Sequence, residues 1–192
     1  MTERAKDLVD RAIAFATRAH LGQMRKGTAL PYIEHPLAVG RILADCGQPA
    51  AVVAAGVLHD TIEDTAVTRA ELERHFGPQV AELVAAVSEP DRSVPWEERK
   101  RHTIATVRSA PLPVVWIELA DKLDNIRAIA ADGHRLGGAI WQRFSRPEPD
   151  QRWYYRGLAR AFAERMTDGV GQMLAAEIGR TVEAVFGPGE MP

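Results

Sequence analysis

"AAVVAAGVLHDTIEDT", residues 50–65, sets a small, apolar run directly against one histidine and three carboxylates: His59, Asp60, Glu63 and Asp64. Pro49, just before it, can open a helix at its first turn. If that helix continues into the charged half, Asp60 lies about one turn from Glu63 and Asp64, and His59 lies one turn from Glu63. Such a cluster beside an apolar segment repels itself unless a positive charge compensates it. A divalent metal is the economical answer, but neighbouring His59 and Asp60 leave at least two ligands to come from elsewhere.

Working outward, apolar positions recur at helical rather than strand spacing almost everywhere. Leu8, Ala12, Phe15, Ala16 and Ala19 mark one face of a first helix. Pro36 and Gly47 bracket a second helix, and "TRAE" (68–71) reads as a capping box for a short one that Gly77 ends. Pro78 opens another through about Val87. "SEPDRSVPW" (88–96) is a polar break before a charged helix over about 96–109, and a long helix after "APLP" runs to Gly133. Two closing helices, at roughly 151–166 and 170–186, follow the loop "SRPEPD". The expectation is an all-α, compact multi-helix fold of about eight to ten helices, forming a single domain over residues 1–192.

Composition narrows the function class. The 192 residues carry a formal net charge of -2, with 46% hydrophobic and 26% charged residues. No global basic field invites DNA or RNA, so any anionic ligand must be met by local charge. No long apolar span marks a membrane segment and no signal peptide is evident. Cys46 is the only cysteine, and the expected location is the reducing cytoplasm. The helical surfaces leave a homo-oligomer possible without a heptad seam to compel it.

Two other stretches offer the missing ligands. "PYIEHP" places His35 just before a proline-opened helix, and "ELADKLDN" places Asp121 and Asn125 one turn apart on one face. Two imidazoles and two carboxylates suit manganese, iron or zinc better than magnesium, which prefers oxygen ligands and retained water. His20, His75, His102 and His134 have helix-end or solvated contexts and are not expected as ligands.

"AHLGQMRKGTALPYIEHP" (19–36), "VLHDTIEDT" (57–65) and "ELADKLDNIR" (118–127), in this order and spacing, resemble the hydrolase domain of the RelA/SpoT family within the HD phosphohydrolase superfamily, most closely its stand-alone small alarmone hydrolases. The resemblance covers about residues 12–130. It implies an all-helical HD fold and manganese-dependent removal of the 3′ pyrophosphate from ppGpp or pppGpp. It also implies His35, His59, Asp60 and Asp121 as metal ligands, Glu63 and Asp64 beside the attacking water, and Asn125 lining the site. Arg25 would lie against the nucleobase and Lys26 near phosphates. The segment "EERKR" (97–101) offers Lys100 or Arg101 to substrate phosphates. Farther on, Arg152 and Tyr154, among Arg143, Arg146, Trp153 and Tyr155, are candidates to hold a nucleotide.

The sequence departs from the familiar hydrolases at "VSEPDRS" and at "WQRFSRPEPDQRWYY" (141–155). Guanosine alarmones, adenosine counterparts such as ppApp, and general HD nucleotide phosphohydrolysis therefore stay open. A catalytically silent nucleotide sensor would instead be expected to have lost Glu63, Asp64 or a ligand.

Overall fold

The computed structural model describes residues 2–89 and 93–188. Within them the chain forms α1 (Glu3–Ala19), α2 (Glu34–Asp45), α3 (Ala50–Leu58), α4 (Thr61–Asp64), α5 (Arg69–Phe76), α6 (Pro78–Val87), α7 (Trp96–Ser109), α8 (Leu112–Leu136), a 3₁₀ segment (Gly137–Arg143), α9 (Glu148–Arg165) and α10 (Gly169–Phe186). The described residues hold no strand, only an isolated bridge between Met24 and Pro31. None of their helices is long and apolar enough to cross a membrane. Of the polar break expected at 88–96, residues 90–92 lie outside the described residues.

The helix starts follow from local chemistry. Thr2, Thr68 and Asp168 each accept a hydrogen bond from a backbone N–H in the first turn of the helix they cap, which satisfies one of its orphan donors. Pro49, Pro95, Pro111 and Pro147 sit at the caps of α3, α7, α8 and α9, and Pro78 begins α6. Proline's fixed φ suits those places, and its missing N–H costs nothing there.

Two expectations are corrected. α8 does not stop at Gly133 but runs through it to Leu136, and Gly137, at φ +55°, ends it. Nor does α3 continue through the charged stretch. It ends at Leu58 because two side chains claim its last carbonyls: His59 Nδ1 bonds Gly56 O at 2.8 Å, and Thr61 Oγ1 donates to Leu58 O at 2.7 Å. Side-chain competition for backbone acceptors of this kind interrupts a helix.

α8 lies at the centre, with Val115, Ile117, Leu119, Ala120, Leu123 and Ile126 buried. α2, α3 and α6 pack on it on one side, and α10, α9, α7 and the 3₁₀ segment complete its surroundings. α2 and α3 come unusually close. A Cβ on Gly40 would stand 2.4 Å from Val57 Cγ2, and one on Gly56 2.3 Å from Leu43 Cδ1. That contact sets the spacing between the start of α2 and the end of α3, where His35 and His59 lie.

Gly56→Ala should therefore cost about 1–3 kcal/mol by overpacking, read as a lower urea midpoint at unchanged m-value.

Candidate functional site

The stop after Leu58 is what lets neighbouring residues serve one cavity. His59 and Asp60 occupy the turn between α3 and α4, so both face the first turn of α2 and the middle of α8. His35 Nε2 lies 3.1 Å from Asp121 Oδ1 and 3.7 Å from Asp60 Oδ2, while His59 Nε2 lies 2.9 Å from Asp60 Oδ2. The donor atoms of His35, His59 and Asp121 all fall within 4.8 Å of one another.

Each imidazole is oriented from behind. His59 Nδ1 is engaged by Gly56 O, and His35 Nδ1 by Asp124 Oδ2 at 2.7 Å. A donated Nδ1–H leaves the lone pair on Nε2, the arrangement in which histidines bind metals. His59 Nε2 is buried and has no hydrogen-bond partner. A nitrogen lone pair facing carboxylate oxygens is unfavourable unless a proton or a metal cation lies between them. The donor set, two nitrogens and two carboxylates, fits a divalent transition metal.

The charges respond to this crowding. Burial alone would lower the His59 pKa, but Asp60 and Asp121 outweigh it and raise it to about 10. Burial also opposes the charged form of Asp121, yet Lys122, His35 and His59 hold its carboxyl well below the ordinary range. Tyr32 donates to Asp60 Oδ2, and its phenol is pushed far up by burial and by Asp60.

Around the cluster opens a cavity of about 720 Å³, a volume suited to a small organic ligand. Glu63 lines it beside the ligand cluster. Burial, with Asp60 and Glu89 adding repulsion, raises the Glu63 carboxyl from 4.5 to about 7, although it accepts the N–H of Glu89 at 2.7 Å. Asn125 lines the cavity one turn beyond Asp121 and donates to Asp121 Oδ1. Arg25 Nη2 donates to Asp124 at 3.0 Å and to Asn125 at 3.3 Å, and Lys26 follows it on the wall.

Four candidates lie elsewhere. Asp64, at the end of α4, is close enough to Tyr32 to raise its pKa but is not on the cavity wall. Arg101 is exposed, pairs with Glu97 one turn back and lies over Trp153, because its position on α7 turns it outward. Arg152 likewise pairs with Glu148 across one turn of α9. Tyr154 is buried beneath Lys100, whose ammonium lies 5.0 Å from its ring centroid.

The wall positions on those helices belong to Lys100, a residue the sequence put forward, and to Arg99 and Tyr155. Glu89 bridges Arg99 and Lys100. Lys122, next to Asp121 in the chain, pairs with it at 2.5 Å and with Glu118 at 3.3 Å. Tyr32, Asp124 and Lys122 all stood inside quoted motifs, but nothing in their spacing alone separated them from their neighbours.

With this geometry in place, the relationship to known proteins is direct. A family profile described as HD domain matches residues 12–145. The chain belongs to the HD-domain family. The human guanosine-3′,5′-bis(diphosphate) 3′-pyrophosphohydrolase MESH1 is 42% identical over 130 residues, covering 66% of this chain and 72% of that protein. A Vibrio cholerae protein of the same enzyme name is 38% identical over 137 residues, covering 68% of this chain but only 19% of that protein. This HD-domain chain thus spans about a fifth of that bacterial relative's length. A solved structure titled for a metazoan ortholog of SpoT that hydrolyzes ppGpp superposes with a TM-score of 0.73 at 28% identity, covering 90% of this chain and 94% of that one.

Two measurements follow. Asp124→Asn removes the anionic support behind His35 and should weaken divalent metal binding about 10–100-fold in a chelator competition. In the metal-free protein, the raised Glu63 pKa means that its stabilising contribution is complete below about pH 4.5 and is lost as pH rises through about 7. Glu63→Gln should accordingly raise the urea midpoint relative to wild type at pH 8 and change it little at pH 4.5.

Proposed function

We propose that this protein is a metal-dependent 3′-pyrophosphohydrolase of guanosine alarmones, converting ppGpp or pppGpp to GDP or GTP plus pyrophosphate. The observation that carries this reading is the convergence of His35, His59, Asp60 and Asp121 beside Glu63 in a cavity also lined by cationic side chains. The names of the human and Vibrio relatives support the choice of substrate.

His35, His59, Asp60 and Asp121 would hold the metal, with manganese preferred and iron or zinc also suited to these donors. Such a metal supplies Lewis acidity toward a phosphoryl oxygen and makes water a better nucleophile near neutral pH. Glu63 takes the proton of the attacking water, a role its place on the cavity wall beside the ligand cluster suits. The water oxygen attacks the phosphorus attached to the ribose 3′ oxygen. The bond between them breaks, pyrophosphate departs, and the ribose oxygen takes up a proton to become a hydroxyl.

The other residues act by position and charge, which dominate phosphoryl transfer. Arg99, Lys100 and Lys122 offset the charge of the pyrophosphate. Asn125 meets the sugar one turn from the ligand Asp121, and the flat guanidinium of Arg25 offers a face to the base. Asp64 takes a supporting place behind Tyr32 rather than at the water.

The test is a substrate panel with purified, manganese-loaded protein: ppGpp, pppGpp, ppApp, GTP and dNTPs. Pyrophosphate should be released from the guanosine alarmones with only weak action on the triphosphates; preferential attack on ordinary nucleotides would remove the reading. Glu63→Gln should lower kcat about 10²- to 10⁴-fold while metal stoichiometry, measured by elemental analysis, stays at the wild-type value.

A further inference from the structure

The end of the cavity away from the metal ligands has a different chemistry. Leu30, Ala128, Ile129, Ile140 and Phe144 contribute apolar surface, and among them stands one ion pair, Arg143 Nη1 to Asp132 Oδ2 at 2.6 Å. Asp132 lies about 16 Å along α8 from Asp121, at about 1.5 Å per residue, and after about three full turns it returns to the same face. Asn125 and Ala128 lie on that face between them. The helix thus sets a reacting end and a distal end about one nucleoside apart.

Arg143 is rigidly placed. It ends the 3₁₀ segment, which is anchored by Trp141 stacked on Phe186 with ring centroids 5.2 Å apart. Its side chain also lies directly over Gly27, where an added Cβ would come within 2.7 Å of Arg143 Cγ and Cδ. The pair does not suit a polyphosphate. The Asp132 carboxylate stands in the wall beside Arg143 and would repel an anion there, and the surroundings are apolar. A flat, neutral group with an acceptor beside a donor fits better.

We infer that Asp132 and Arg143 read the edge of a guanine base, and so make this protein selective for guanosine over adenosine substrates. Guanine presents the O6 acceptor next to the N1–H and N2–H donors. Arg143 donates to O6, as arginine commonly does to guanine, and Asp132 accepts from N1–H and N2–H. Adenine reverses both positions, setting N6–H₂ against the guanidinium and the N1 lone pair against the carboxylate. Both mismatches leave partly buried polar groups unpaired against the base, which rejects a ligand more strongly than a missing apolar contact does. Arg135 also pairs with Asp132, through Oδ1, but is itself exposed, so it yields readily to a ligand.

This inference rests on the cavity being a nucleotide site, and two independent assays separate the two claims. Hydrolysis of ppGpp and ppApp is compared for wild type, Asp132→Asn and Arg143→Gln, all manganese-loaded. Binding of GDP and ADP to the same proteins is measured by calorimetry. Wild type should favour guanosine in both assays. Each variant should shrink that preference about ten- to a hundredfold, with the loss falling on KM for ppGpp and on GDP affinity rather than on kcat. A wild-type preference for adenosine, or an unchanged preference in Asp132→Asn, overturns the inference. If wild type hydrolyses neither alarmone, the proposed activity fails, while a GDP preference that Asp132→Asn abolishes still supports base reading. Should Arg143→Gln fail to fold, the isosteric Asp132→Asn decides alone.

Discussion

Two missing methyl groups hold α2 and α3 at the separation the ligand cluster needs. Where Gly40 faces Val57 and Gly56 faces Leu43, even one extra carbon would enter van der Waals overlap. Close packing in protein interiors transmits such a displacement rather than absorbing it. His35 rides on the first turn of α2 and His59 immediately follows α3, so a wider gap would part the two imidazoles. Gly56 has a second task, because its carbonyl holds His59 Nδ1. Backbone packing and imidazole orientation are thereby fixed by one residue.

The electrostatics complete what the packing begins. Asp60 and Asp121 are carboxylates in a buried place, a costly arrangement when unpaired. Lys122, Tyr32 and the two histidines share the load, and a bound cation would take the largest part of it. Glu63 stands just outside this compensation. Its nearest fixed partner is a backbone N–H rather than a full positive charge, so its carboxyl titrates near neutrality while its neighbours remain ionised. Which of these carboxyls stays ionised thus follows from which of them have cations beside them.

Much of this was legible in the sequence, for identifiable reasons. Helix positions showed through proline starts, glycine stops and helical apolar spacing, and α7 begins and ends where its pattern does. Gly133 misled because glycine can also sit inside a helix whose neighbours are well packed, and Ile126 and Ile129 carry α8 past it. Whether the helix continues into the charged stretch after α3 is not decided by periodicity, because the competing hydrogen bond from Thr61 to Leu58 leaves no signature in it. The candidate ligand set came from three motifs that jointly resemble a known family. The wall residues did not, since which of Arg99, Lys100 and Arg101 faces inward depends on the rotation of α7 against α9. Arg143 was less legible still: its place depends on a long-range stack between Trp141 and Phe186.

α8 passes without interruption from the candidate ligand Asp121 through Asn125 to Asp132. Because these residues share one rigid rod, their spacing along it is graduated rather than negotiated between loops. A single residue inserted between positions 125 and 132 would swing everything beyond it by about 100° and advance it about 1.5 Å. The metal end would be untouched, yet the distal pair would leave the cavity altogether. The distance between the two ends of the cavity is therefore set by the register of this helix segment rather than by any one side chain.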